Sequence, residues 1–289
     1  MTLNPTNPLS FRAKLLLAMM LIVLTITGAT VYIAENNLRA NQQRLLNAQF
    51  QNQMRSFLAV QDLRSSAVAE KCRDVSRSVR LRAALEEKDV DDLYRNALTE
   101  LQGVFNPNEP AADYAQQSVR ASFFRFVDVD GAVLPAGDHP AGNVDPRSLE
   151  QALAPVAFEP RDIAEQSVAF IAIGRGNDPA ALRQIVLTKV HGWNGNGLGA
   201  LILGFPIKQA RGADSRGAEI KSGIWLNRQF YIADLSAADR HLIAQRVQAE
   251  LTQGTAGNFN VDLESGPHLL FYKALNSQVA PAYDVCLYP

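Results

Sequence analysis

Asp128-Val-Asp130-Gly131 sets two carboxylates at alternate positions ahead of a glycine, which is how a calcium-binding loop begins. The other ligands of such a loop, including a Glu at its end, are missing, and the run reads as an Asp-Gly hairpin turn whose glycine takes positive φ. Gly174-Arg-Gly176-Asn-Asp-Pro179 opens like a dinucleotide fingerprint, but it lacks the third glycine and has Pro where the helix would start. "GWNGNGLG" (residues 192–199) lies between two strand-like runs rather than between strand and helix, so a hairpin loop is expected, with Trp193 and Asn194 at its tip. The acidic run at 86–92 reads either as a cation site or as a solvated turn whose Asp residues favour the next helix N-terminus. His139, His191, His241 and His268 are scattered without partners at ligand spacing. No Gly-x-Ser-x-Gly elbow, His-Glu-x-x-His pair or P-loop is present. No catalytic residue, metal ligand or cofactor is therefore expected in these residues, and an enzyme is not.

The 289 residues carry 28 basic and 29 acidic side chains, a balance that does not suggest a nucleic-acid partner. Two cysteines, Cys72 and Cys286, exclude a disulfide framework and a Cys-based zinc cluster. Both are expected to be free, buried and packed as small apolar side chains, with a disulfide between them as the alternative. Residues 15–34, "LLLAMMLIVLTITGATVYIA", contain no charge. As a helix they would span the roughly 30 Å hydrocarbon core of a bilayer. Arg12 and Lys14 precede the stretch and Glu35 follows it. The positive-inside rule then leaves residues 1–14 in the cytoplasm, residues 15–34 in the membrane, and the remainder outside. A cleaved signal peptide is the alternative. The apolar stretch exceeds the usual h-region of about 7–15 residues, which favours an uncleaved anchor.

From 35 to about 85 there is neither Gly nor Pro. Phe50, Met54, Phe57, Gln61, Val68, Cys72, Val75 and Val79 form one stripe at helical spacing, with Arg55, Asp62, Arg64, Glu70, Arg73 and Arg77 between them. One long amphipathic helix is expected, broken at Asp89 and followed by a shorter one, so that 35–105 form a helical rod. Leu38, Leu45 and Leu46 leave room for self-association through its first part. After "NPNEP" (residues 106–110) the pattern turns to strands. The first block reads "ASFFRFVDVD", "AVLPAG", a helix "DPRSLEQALA", then "SVAFIAIG", "RQIVLTKVHGW" and "LGALILGFP". The second reads "IKSGIWLN", "RQFYIA", a helix "SAADRHLIAQRVQAEL", then "GNFNVDLES", "HLLFYKALN" and "AYDVCLYP". Both follow the order strand, strand, helix, strand, strand, strand, which predicts an α+β fold of two tandem antiparallel-sheet modules, 106–206 and 207–289. Ser236 is the expected cap of the second helix and Gly254 its expected stop.

This layout resembles the double Cache sensor domains of bacterial membrane receptors, whose modules are PAS-like. "FRFVDVDGAVLP" (residues 124–135) is similar to the first hairpin of a Cache module. The resemblance implies a periplasmic domain on the inner membrane, with 106–206 as the membrane-distal module that binds a small molecule. It also implies a second membrane helix that carries the signal to a cytoplasmic output. A conformational signal passed through the membrane helix and a homodimer formed through the long helix are expected. The Tyr, Arg, Trp-Tyr and Asp signature of the amino-acid-binding subgroup is not found: Arg147 and Arg161 follow Pro135, but neither has a Trp-Tyr pair beside it. The resemblance thus does not extend to an amino-acid ligand. In PAS-like modules the pocket lies on the sheet face under the helices and loops. There Arg125, alternating with Phe123 and Val127, and Thr188, alternating with Val186 and Val190, would meet an anionic or polar small ligand, together with Phe170 and Trp193. Arg125 pairing with an acid at the sheet rim is the alternative. Trp225, Tyr231 and Tyr272 are expected in the core. The sequence is read as the sensing part of a longer receptor; the alternative is an anchored periplasmic binding or adaptor module without its own cytoplasmic output.

Overall fold

The structure, a computed structural model, describes residues 11–105, 120–154, 165–174, 179–207, 212–213, 219–233, 235–251, 254, 256–275, 277 and 281–289. "NPNEP", Arg161, residues 175–178 and the first ten residues lie outside these. The chain divides into two compact units, Met1–Asn52 and Gln53–Pro289.

In the first unit the helix α1 (Phe11–Arg77) begins. It is the one helix among the described residues long and apolar enough to cross a membrane. Its apolar side chains from Leu15 to Ile33 are exposed. Thr25, Thr27 and Thr30 turn their hydroxyls back onto the carbonyls of Leu21, Val23 and Ile26, at 2.5, 2.8 and 2.7 Å, so these polar groups are satisfied inside the helix.

In the second unit the helix does not run unbroken to residue 85 as its lack of Gly and Pro suggests. Ser78 adopts extended backbone (φ −60°, ψ 125°) and α1 gives way to α2 (Val79–Glu87). Val79, expected on the apolar stripe, is exposed, because the break rotates the next turn away from the seam. The second expected break is present. Lys88 takes the left-handed conformation (φ 57°) and its N–H bonds back to Ala84 and Leu85, while Asp89 caps α3 (Val90–Glu100) by accepting from Asp92 N at 3.0 Å.

The first sheet holds β1 (Phe123–Asp128), β2 (Val133–Leu134), β3 (Gln166–Ala172), β4 (Leu182–His191) and β5 (Gly197–Pro206), with α4 (Pro146–Leu153) between β2 and β3. All pairings are antiparallel, in the order β2-β1-β5-β4-β3. Both faces are covered, which is why its strands read as nearly continuous apolar runs. On one face Phe123, Val127, Ile185, Leu187 and Ile202 pack under Leu149 and Leu153 of α4. On the other, Phe124, Phe126, Val186, Leu201 and Phe205 pack under Val68, Cys72 and Val75 of α1 and the inner sides of α2 and α3. Gly204 is required here: a Cβ would stand 1.9 Å from the ring of Phe123, its cross-strand partner.

The second sheet repeats the plan. It comprises β6 (Gly212–Ala213), β7 (Glu219–Leu226), β8 (Gln229–Ile232), β9 (Ala256–Leu263), β10 (Gly266–Ala274) and β11 (Ala282–Tyr288), with α5 (Ala237–Leu251) between β8 and β9. Its order is β6-β7-β11-β10-β9, with β8 also on β7. The short β6 is an addition that two residues of sequence do not announce. Ser236 caps α5, accepting from Asp239 N at 3.1 Å, and the helix ends at Leu251, before Gly254. Trp225, Tyr231 and Tyr272 are buried, and "AYDVCLY" (residues 282–288) is the central strand β11.

Candidate functional site

Arg125 is buried on the α4 face of β1. Among the described residues it meets carbonyl oxygens rather than an acid at the sheet rim. Its Nη1 donates to the carbonyls of Phe124 and Ala141, both at 2.7 Å, and its Nη2 to those of Gly142 and Val144, at 2.8 and 2.7 Å. One planar guanidinium thereby straps the segment before α4 onto the first strand, while its Nε has no partner among the described residues. Burial pushes its pKa down. Gly142 makes the close approach possible: its φ is +90°, and a Cβ there would stand 2.4 Å from Ser122 O. The strap leads into α4, where Asp145 accepts from both the backbone N and the Oγ of Ser148 at 2.9 Å. These bonds lower the carboxyl's pKa. Glu150 Oε1 accepts from Val133 N at 3.1 Å, fastening α4 to β2.

The outer side of α4 borders a cleft of about 620 Å³. Arg147, Ser148 and Gln151 line one wall, and Asn227, Gln229 and Tyr231 of the β7–β8 hairpin line the other. Tyr231 Oη donates to Gln229 Oε1 at 2.8 Å. With a guanidinium, amides and hydroxyls converging on one space, the cleft suits a polar small molecule.

The structure does not bring the expected ligand residues together. Arg125 faces α4. Thr188 faces α1, under Cys72, whose thiol it hydrogen-bonds, and accepts from Gln166 Nε2 at 3.0 Å. Phe170 lies cross-strand from Gln184, which is itself cross-strand from Phe205 on the helix face. Trp193 is exposed in the β4–β5 hairpin, with the Arg82 guanidinium 5.6 Å over its ring.

Residues without an evident role in the sequence carry much of the helix–sheet contact. Arg64, expected between the stripe positions, is buried, donating to Gln184 Oε1 at 2.5 Å and lying 5.0 Å over Phe205. The signal was present: a seven-residue gap between Gln61 and Val68 leaves a turn of the stripe to be filled at position 64. Tyr94 of α3 donates to Leu134 O at 2.7 Å and accepts from Phe126 N at 3.3 Å, and burial pushes its phenol up to about 12. Near the start of the second unit, Gln53 Oε1 accepts from Tyr288 Oη at 3.2 Å. α1 thus touches β11 of the second sheet and β4 and β5 of the first. Among the described residues no cluster of metal-ligating side chains occurs.

No protein-family model matches the chain. No curated protein matches it. Among solved structures the chain is similar to Methyl-accepting Chemotaxis protein X, with 11% identity, TM-score 0.49, and coverage of 83% of this chain and 96% of that one. The extracellular domain of vpHK1S-Z8 is 14% identical, with TM-score 0.48 and coverage of 86% and 95%. The periplasmic domain of Vibrio cholerae LuxQ is 10% identical, with TM-score 0.39 and coverage of 79% and 93%.

Proposed function

We propose that the chain is the extracytoplasmic sensing part of a bacterial membrane receptor, anchored by the apolar stretch at 15–34. A small molecule binds on the α4 side of the first module, where Arg125 holds the strap and the cleft opens. The observation that carries this reading is the reach of α1. One helix grips the first sheet through Arg64, Gln184 and Phe205 and the last strand of the second through Gln53 and Tyr288. The same helical element contains the apolar stretch at 15–34. A shift of the first sheet under α4 therefore has a covalent and packed route toward the membrane. In this reading Arg125 positions the ligand side, Phe170 and Thr188 belong to the relay surface against α1, and Trp193, under Arg82 of α2, stands apart from the cleft. Two copies associate along the helix, so that relative displacement becomes the signal.

Alkaline phosphatase fused after Pro289 tests the orientation: an active fusion in intact cells supports export of residues 35–289, and an inactive one overturns it. Binding is tested on the full chain in detergent, by thermal shift against pools of small polar metabolites. A stabilising compound whose effect is lost when the cleft is narrowed by Gln151→Trp supports the site. Failure of every pool removes the sensing reading.

A further inference from the structure

A separate cavity of about 310 Å³ lies on the helix side of the first module, where the α2–α3 turn meets the β1–β2 turn and the start of β5. It shares no residue with the cleft beside α4. Its floor is apolar, formed by Leu85, Val90, Leu93, Leu134 and Leu198. Its rim carries Glu86, Asp89, Asp128 and Asp130 against the single ammonium of Lys88. Two of these carboxylates are fixed in place by backbone amides. Asp89 accepts from Asp92 N at 3.0 Å, and Asp128 Oδ1 accepts from Asp130 N and Ala132 N, each at 2.9 Å. The carboxylates of Glu86 and Asp130 have no hydrogen-bonded partner among the described residues.

These features select one kind of occupant. An anion would be repelled by the rim. An inorganic cation would leave the apolar floor in contact with water. A neutral apolar molecule would cover the floor and gain nothing from the carboxylates. We propose that the cavity binds a small organic cation, an ammonium or guanidinium group carried on an apolar body. The apolar part fills the space between Leu85, Leu93 and Leu198, and the charged group rests between Glu86 and Asp130. The volume falls at the lower end of the roughly 300–1,000 Å³ usual for small-molecule sites, so the body is a single ring or a short chain. A molecule held there would bridge the α2–α3 turn to the β1–β2 turn. This site does not depend on the sensing role proposed above.

The test is isothermal titration of the full chain in lipid nanodiscs with phenethylammonium, its neutral counterpart phenylethanol, and magnesium ion. Phenethylammonium is expected to bind roughly tenfold or more tightly than phenylethanol, one well-placed charge interaction being about 1.4 kcal/mol. The Glu86→Gln/Asp130→Asn variant, altered at exposed positions, is expected to retain its melting temperature and lose that preference. Leu198→Trp, which fills the floor, is expected to abolish binding of both organic probes. Three results would each overturn the proposal: no phenethylammonium binding at millimolar concentration, binding unchanged in both variants, or magnesium binding that displaces phenethylammonium and vanishes with Glu86 and Asp130.

Discussion

The guanidinium carbon of Arg64 sits 5.0 Å from the ring centroid of Phe205, a cation–π contact buried between α1 and the first sheet. The same group donates to Gln184 Oε1. Desolvation lowers its pKa to about 10, so it stays charged at neutral pH while bound to the sheet.

Arg64→Ala removes the stem, the cation–π contact and the donor to Gln184 together. It should lower unfolding stability by roughly 2–4 kcal/mol, because Gln184 is then left buried without that donor. Arg64→Met/Gln184→Met, which removes both polar partners, should recover part of the loss. Urea denaturation of the three chains decides this; equal stability of Arg64→Ala and the native chain would show that the contact adds nothing.

Arg125→Lys keeps a positive charge but cannot span four carbonyl oxygens. The strap at 141–144 should loosen, with a loss of about 2–3 kcal/mol and faster amide exchange in that segment. Gly142→Ala should loosen the same segment for a different reason, its positive φ and the approach of Ser122 O. Hydrogen exchange that stays slow at 141–144 in both variants would contradict this account of the strap.

Asp284 lies on β11 beside Cys286, whose thiol approaches its Oδ2 at 3.7 Å. Desolvation raises its carboxyl to about 7. A carboxyl whose pKa is higher folded than unfolded holds its proton in the native state while the unfolded chain has already lost it. Stability should therefore fall as pH rises from about 4 to about 7, and level off above that. Asp284→Asn should flatten this part of the profile and be the more stable chain at pH 8. A native profile that rises over the same interval would refute the assignment.

Cys72 and Cys286 are both free and buried. Burial pushes the Cys72 thiol up to about 12 and that of Cys286 well above its ordinary value. Neither should react with a soluble disulfide reagent in the native chain at pH 8, and both should react on unfolding. Rapid labelling of either thiol without denaturant would show that its burial is not maintained.

Much of the architecture was legible along the chain. Alternating and continuous apolar runs marked the longer strands, Gly131 marked the β1–β2 turn with its φ of 88°, and Asp89 and Ser236 marked helix starts. Ser78 was not legible, because an extended serine between two good helical stretches leaves no trace in composition. The residues expected to meet a ligand were harder still. Arg125 reads from its neighbours as a cation among apolar side chains, but its four carbonyl partners sit 1 to 19 residues away. Thr188 and Phe170 share its module but face the opposite side of the sheet, which strand register decides.

By itself the sequence determined the apolar stretch at 15–34, the helical stripe, and two successive sets of strands around a helix. These follow from charge content, periodicity and turn chemistry, which act over a few residues. The tertiary structure decided which sheet face α1 covers, that Arg64 is buried against Phe205 and Gln184, and that Arg125 clamps a loop. It also decided where the two cavities open. Those outcomes depend on strand register and on contacts such as Arg64–Gln184, whose partners are 120 residues apart, and no local pattern encodes a pairing over that distance.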